Sequence, residues 1–130
     1  MVSVRFMLLA DQTWPEVDGQ RVLLVPLGST EQHGPHLPLD TDTRIAQAIA
    51  NGAAGQLEAV VAPALAYGAS GEHAGFDGTL SIGTEALRLV LIELVRSAAL
   101  TFGRIVLVNG HGGNHEATTH AVEQLSLIHI

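Results

Sequence analysis

Apolar residues fall into two kinds of run along this chain, short unbroken ones and longer interrupted ones, and the two kinds predict strands and helices in turn. Arg21 to Leu27 holds Val22, Leu23, Leu24 and Val25 in succession, which is what a strand covered on both faces shows. Ile105 to Val108 is a second, β-branched run, and Ala59 to Leu65 a third, stopped by Pro63. From Thr43 to Leu57 the apolar positions Ile45, Ala46, Ala48, Ile49, Ala53 and Leu57 fit a helix that Asp42 or Thr43 can cap. Thr84 to Phe102 is the clearest helix: Glu85, Arg88, Glu93, Arg96 and Ser97 form a narrow polar stripe on an otherwise apolar cylinder. Such a helix is expected to bury one side on a sheet and the other on a second subunit, with Gly103 as its stop. A last helix runs from about Asn114 to Leu125, and Thr79 to Ile82 reads as a short extended piece. Residues 1–20 lack a period and read as a leader or a peripheral element, with turns at Trp14-Pro15 and Asp18-Gly19. Strands and helices in alternation imply an α/β fold: a parallel sheet, right-handed crossovers and helices on both faces.

Composition narrows this to one domain over residues 1–130, with 47% apolar residues to fill a single core. A net charge of −7, with all six basic residues arginine, argues against nucleic acid and anionic membrane surfaces as partners. The apolar stretch from Ala86 to Phe102 carries Arg88, Glu93 and Arg96, too many charges for a membrane span. Val2 to Ala10 contains Arg5 and gives way to Asp11 and Gln12, unlike a secretory signal, so a cytoplasmic protein is expected. Without cysteine there is no disulfide framework, thiolate metal site or Cys nucleophile.

Any metal must therefore be held by His, Asp and Glu, and these crowd one loop. Directly after the first strand, Gly28 to Asp42 packs Glu31, His33, His36, Asp40 and Asp42 among Gly and Pro. In an extended segment Glu31 and His33 point the same way and can converge. Mixed carboxylate and imidazole ligands suit zinc, manganese or iron(II) rather than calcium or magnesium. The run from Ile105 to Val108 ends in Asn109-Gly110-His111-Gly112-Gly113-Asn114, placing His111 at a strand-to-helix crevice where open α/β sheets bind ligands. A dinuclear hydrolase would draw on Glu31, His33, Asp42 and His111 with Asp42 as the bridge, its two ions about 3.5–4 Å apart and activating a water. A mononuclear site with an open water position stays open as an alternative. Gly110 to Asn114 as an anion cradle, and Ser29 or Ser70 as a nucleophile, are weaker ones. Tyr67 to Gly78 is a candidate substrate loop, with Ser70 and His73 beside the site and Gly110 and Gly112 offering amides to an oxyanion. His73 with Glu72 also reads as a surface pair. His36 and Asp40 read as loop-packing residues, and His115, Glu116 and His120 as solvated ones.

Together these blocks, Gly28 to His36, Asp40 to Asp42, Tyr67-Gly68 with Glu72-His73, Gly78 to Gly83, and Asn109 to Asn114, resemble the creatininase family of metal-dependent amidohydrolases. The resemblance implies a three-layer α/β/α sandwich with two divalent ions, zinc, iron or manganese, on Glu31, His33, Asp42 and His111. It implies hydrolysis of a C–N bond in a small molecule or modified peptide by a metal-activated hydroxide, and a homo-oligomer for the intact protein. The wording from Pro26 to Ala46 and from Ala66 to His73 is most like the branch that cleaves the modified mycofactocin precursor peptide; creatinine and formamide hydrolysis are the alternatives. Where creatininase carries a carboxylate ligand this chain has Gly113, and nothing here matches the later His-Ala-Gly-Glu type motif of Gly-Gly members. The expectation is an N-terminal part of such a domain. Residues 125–130, Leu-Ser-Leu-Ile-His-Ile, resemble translated adapter sequence and give His129 no role. The reading from another class is an inactive, metal-binding remnant.

Overall fold

The computed structural model describes residues 6–126. Four parallel strands, β1 (Met7–Leu8), β2 (Leu23–Leu27), β3 (Val60–Val61) and β4 (Ile105–Asn109), form one sheet in the order β1-β3-β2-β4. Helices α1 (Thr41–Leu57), α2 (Gly83–Ala98) and α3 (His115–Ser126) cover its two faces. The pairing of β2 with β4 runs in register from Leu23↔Ile105 to Leu27↔Asn109, so both strands end level.

Residues of β2 alternate between two cores, as a pleated strand requires. Leu23, Val25 and Leu27 face α2 and α3, meeting Leu87, Leu91, Ile92, Ala117 and Ala121. Leu24 faces α1, meeting Ala50, Ala54 and Val61. This double burial explains why the run in the sequence is unbroken rather than alternating.

On α1 the structure departs from the expected apolar face. Its buried positions are Thr43 and a row at four-residue spacing, Asp42, Ala46, Ala50 and Ala54, while Ile45, Ile49 and Leu57 are exposed. Small residues win this face because they bring the helix close to the sheet. The first turn carries Asp42, with Asp40 rather than Asp42 or Thr43 at the cap position.

Other boundaries moved for local reasons. The helix expected to reach Phe102 ends at Ala98, followed by a turn in which Thr101 and Phe102 N–H groups both bond the Ala98 carbonyl; Gly103 lies beyond it. Its outer face leaves Leu89, Val90 and Leu94 exposed. Ala59 to Leu65 shortens to a two-residue strand plus a bridge from Leu65 to Leu27. Thr79 to Ile82 forms no strand, though Leu80 and Ile82 donate to the carbonyls of Thr30 and Gly68. Part of residues 1–20, aperiodic in sequence, supplies the edge strand β1, since two residues suffice to pair with β3. Leu125 and Ser126 complete α3, and His129 lies outside the described residues. No helix among the described residues is long and apolar enough to cross a membrane.

Candidate metal centre

Two strand ends and one helix start build the site. After β2 the chain turns at Gly28 to present Ser29, Glu31 and His33; after β4 it presents His111; and α1 points Asp42 at both from its first turn. The approach is close. A Cβ on Gly28 would stand 2.1 Å from Thr43 Oγ1, and one on Gly110 would stand 2.5 Å from the Asp42 carbonyl oxygen. The positive end of the α1 dipole favours the Asp42 carboxylate there.

Glu31, Asp42 and His111 are all buried, and one ligand atom of each lies within 4.8 Å of the others. His111 Nδ1 is 2.8 Å from Asp42 Oδ2 and 3.3 Å from Glu31 Oε1. His33 Nε2 is 2.8 Å from Asp42 Oδ1 and 3.9 Å from Glu31 Oε1. Asp42 thus turns one oxygen to each imidazole, while Ser29 Oγ donates to its Oδ2 at 2.9 Å.

The outer nitrogens decide what the inner ones can be. His111 Nε2 lies 2.9 Å from the Ala69 carbonyl, and His33 Nδ1 lies 3.2 Å from the Glu31 carbonyl. A carbonyl only accepts, so each outer nitrogen carries its proton and, in a neutral ring, each inner nitrogen is bare. Bare nitrogen against carboxylate oxygen at 2.8 Å is repulsive unless a positive charge lies between them. A proton meets that need; so does a metal ion, whose tetrahedral ligands at about 2.0–2.2 Å stand about 3.3–3.6 Å from one another once the ion draws them apart. Outer nitrogens pinned to carbonyls are also how metal-binding imidazoles are oriented. The donor set therefore fits a divalent ion. For His33, burial is the largest single influence and lowers its pKa, but the Glu31 carbonyl and the Asp42 carboxylate outweigh it and leave the pKa above the ordinary 6.5.

Beside this cluster a cavity of about 380 Å³ is lined by Ser70, His73, His111, Gly113 and Glu116 among others. The Ser70 side chain is buried, its hydroxyl 3.4 Å from His111 Nε2 and its N–H given to Ser81 Oγ. His73 turns Nε2 to within 3.6 Å of Glu31 Oε2. Gly112 is exposed at the start of a short 3-10 turn. Gly110 corrects the expectation of a free amide: its N–H donates to the Leu27 carbonyl at 2.8 Å, extending the β2–β4 ladder rather than facing an oxyanion. His36, Glu72, His115, Glu116 and His120 are exposed, and Asp40 pairs with Arg44 at 2.8 Å. A separate apolar groove of about 410 Å³ follows the open edge of β4, lined by Val95, Phe102, Val106 and Val122 among others.

Asn114 and Gly113 organise the site in ways the sequence did not announce. Asn114, fully buried, donates to the carbonyl of Gly28 and to Asn109 Oδ1 and accepts from Ala69 N–H, tying three segments together. Its place in the Asn-Gly-His-Gly-Gly-Asn block was the only signal, and spacing alone gives it no task. At Gly113 a Cβ would stand 2.4 Å from the Ala69 carbonyl oxygen and 2.5 Å from His111 Nε2, inside the bond that pins the imidazole. Gly113→Glu is therefore expected to weaken metal uptake rather than add a ligand. Metal titration of that variant checks this, and tighter binding than the parent would refute it.

Comparison with known proteins adds a lineage to this geometry. The family model described as "Creatininase: Creatinine amidohydrolase" matches residues 10–129. A mycofactocin precursor peptide peptidase of Mycolicibacterium smegmatis is 64% identical over 110 residues, 80% of this chain and 44% of that protein. A structure named "Creatininase Mn" superposes with a TM-score of 0.81 at 29% identity, over 97% of this chain and 55% of that one. A mutant creatininase of Zn-Zn type does so with a TM-score of 0.78 at 30% identity, over 95% and 54%. The chain spans about half the length of the relatives it matches.

Proposed function

This chain belongs to the creatininase family, and from that premise we propose that it is the metal-holding N-terminal part of an amidohydrolase that cleaves a C–N bond in a modified precursor peptide of the mycofactocin kind. The supporting observation is the pair of imidazoles whose outer N–H groups are spent on carbonyls while their inner nitrogens face Asp42 and Glu31. The substrate class rests on the 64% identity to the peptidase. Creatinine, the substrate implied by the family description, is the second small amide to test.

We assign two divalent ions, of zinc, manganese or iron(II), to the site. Asp42 supports this number because its two oxygens serve opposite sides, Oδ2 toward His111 and Oδ1 toward His33, with Glu31 Oε1 on the His111 side. Such ions lower the pKa of a water and polarise the scissile carbonyl. The chain's own residues do the positioning. Ser29 holds the Asp42 carboxylate, Ala69 and Glu31 carbonyls fix the two rings, and Ser70 braces His111 at the cavity wall. The cavity is assigned to the substrate, and Gly112, exposed but outside its lining, is left as the candidate amide. A second copy of the chain is assigned to the exposed outer face of α2, at Leu89, Val90 and Leu94.

Elemental analysis tests the metal reading: about two divalent ions per chain are expected, and none would end it. For the reaction, residues 6–126 grafted in place of the matching part of the Mycolicibacterium smegmatis peptidase should release the C-terminal core of the modified peptide faster than they open creatinine. The reverse preference would move the substrate assignment to creatinine.

Acidity gives a signed check. Metal binding needs neutral His33, whose pKa is raised by the Glu31 carbonyl and the Asp42 carboxylate against the opposing and largest effect of burial. Apparent affinity should fall as pH drops through that raised value, earlier than for an ordinary imidazole. The metal-free chain behaves oppositely: stability from protonated His33 is fully present below about 6.5 and is lost as pH rises through the folded value. Melting curves at several pH values, with and without metal, should therefore diverge as pH rises. Parallel curves would contradict both signs.

A further inference from the structure

Glu31 carries a buried oxygen that the metal reading does not use. Its Oε1 faces His111 and His33, whereas Oε2 is buried and has no hydrogen-bond partner among the described residues. The imidazole of His73 lies beside it, its Nε2 3.6 Å from the orphaned atom and so just beyond hydrogen-bond length.

Which nitrogen of His73 holds the proton follows from a chain of contacts that starts in the backbone. Gly34 has a φ of +72°, a left-handed conformation that glycine adopts without strain. Its N–H reaches Gln32 Oε1 at 2.8 Å. An N–H can only donate, so this bond fixes the oxygen end of the Gln32 amide and leaves Gln32 Nε2 facing His73 Nδ1 at 2.9 Å. The amide donates, Nδ1 accepts, and the ring proton is placed on Nε2, toward Glu31. The turn carrying His73 is itself held, with His73 N–H on the Ser70 carbonyl and Thr79 Oγ1 on the His73 carbonyl.

We infer that His73, neutral and locked in the Nε2–H tautomer by Gln32, is a positioning residue that holds the outer oxygen of Glu31 and leaves Oε1 alone for the metal. Glu31 is thereby a one-oxygen ligand. The inference rests on Glu31 being a metal ligand, and it assigns His73 a task different from substrate contact or proton donation. A carbonyl or carboxylate in the outer shell usually orients an imidazole ligand; here the roles are exchanged, and an imidazole orients a carboxylate.

Two measurements on this chain test it. Nitrogen-15 NMR of the His73 ring, without metal, reads the tautomer directly: Nε2–H is expected in the parent, and a mixture in Gln32→Leu. Nδ1–H in the parent would overturn the inference whatever the metal does. Titration with cobalt(II) chloride then reads the effect on the ligand. His73→Ala should weaken cobalt binding about 10–100-fold and lower the visible absorption of the bound ion, since a freed Glu31 binds through both oxygens and raises the coordination number. His73→Gln, whose amide N–H reaches the position of Nε2, should restore affinity and spectrum toward the parent. Unchanged affinity and spectrum in His73→Ala would overturn the positioning role. A parent that binds no cobalt, or binds it equally after Glu31→Ala, would instead sink the metal reading itself and the positioning role with it.

Discussion

Replacing Asp42 by asparagine is expected to abolish metal loading while leaving the metal-free chain as stable as the parent or more so. Asp42 supplies an oxygen to each side of the site, and no other side chain there touches both imidazoles this closely. An amide keeps the shape but only one oxygen and no charge. Affinity should fall by more than the roughly 10–100-fold that loss of an outer-shell partner costs. Without metal, at a pH above the raised His33 value, the balance reverses, because the parent then sets a carboxylate oxygen against a bare imidazole nitrogen at 2.8 Å, and an amide N–H at that position turns a repulsion into a hydrogen bond. Elemental analysis and melting curves with and without added zinc measure both halves. The parent should gain stability with zinc concentration as binding linkage requires, and Asp42→Asn should gain none. Retained zinc binding in that variant would remove Asp42 from the bridging position. In the peptidase graft the same substitution should remove activity.

The second large effect is expected at Asn114, whose side chain bonds no proposed ligand. Asn114→Leu keeps the branching of the side chain but leaves the Gly28 carbonyl and the Ala69 N–H without their buried partner. Each orphaned buried group costs about 1–3 kcal/mol, so a loss of about 3 kcal/mol is expected. Against the roughly 5–15 kcal/mol that holds a typical domain together, this is a large share. Urea denaturation read by circular dichroism gives the number; a loss below about 1 kcal/mol would show that water replaces the amide. A second consequence follows through the chain. The Ala69 residue that loses its N–H partner also supplies the carbonyl that fixes His111, so metal affinity should fall together with stability.

These two residues mark how far the sequence could be read. The convergence of Asp42 with Glu31 and His111 was legible because ligand chemistry restricts residue types: carboxylates and imidazoles cluster after two apolar runs, and the structure brings these three together. The parallel sheet was legible because β2 is covered on both faces and therefore lacks alternation. Asn114 was visible only as a letter in a motif, since its partners lie at Gly28, Ala69 and Asn109, far apart in the chain, and two of the three are backbone atoms that any residue supplies. The Gly110 amide was misjudged for the same reason: whether an N–H is free depends on the ladder it belongs to. Ile45 and Ile49 count with Ala46 among the apolar positions that predict α1, yet only the alanine is buried, because hydrophobicity alone does not measure the gap a helix must fit.

That gap has a consequence for the chemistry. Ala46, Ala50 and Ala54 lie under the same face of α1 as Asp42, and all three are nearly or fully excluded from solvent. At about 1.5 Å per residue, Ala54 is about 18 Å down the axis from the carboxylate. A methyl group is the thickest spacer this wall admits, and a Val at Ala50 or Ala54 would act as a wedge beneath a rigid rod. The rod turns about the wedge, and its far tip, where Asp42 meets His33 and His111, moves by more than the wedge is thick. The alanines therefore set the focal distance of the site, and its calibration is written in residues that never approach a metal.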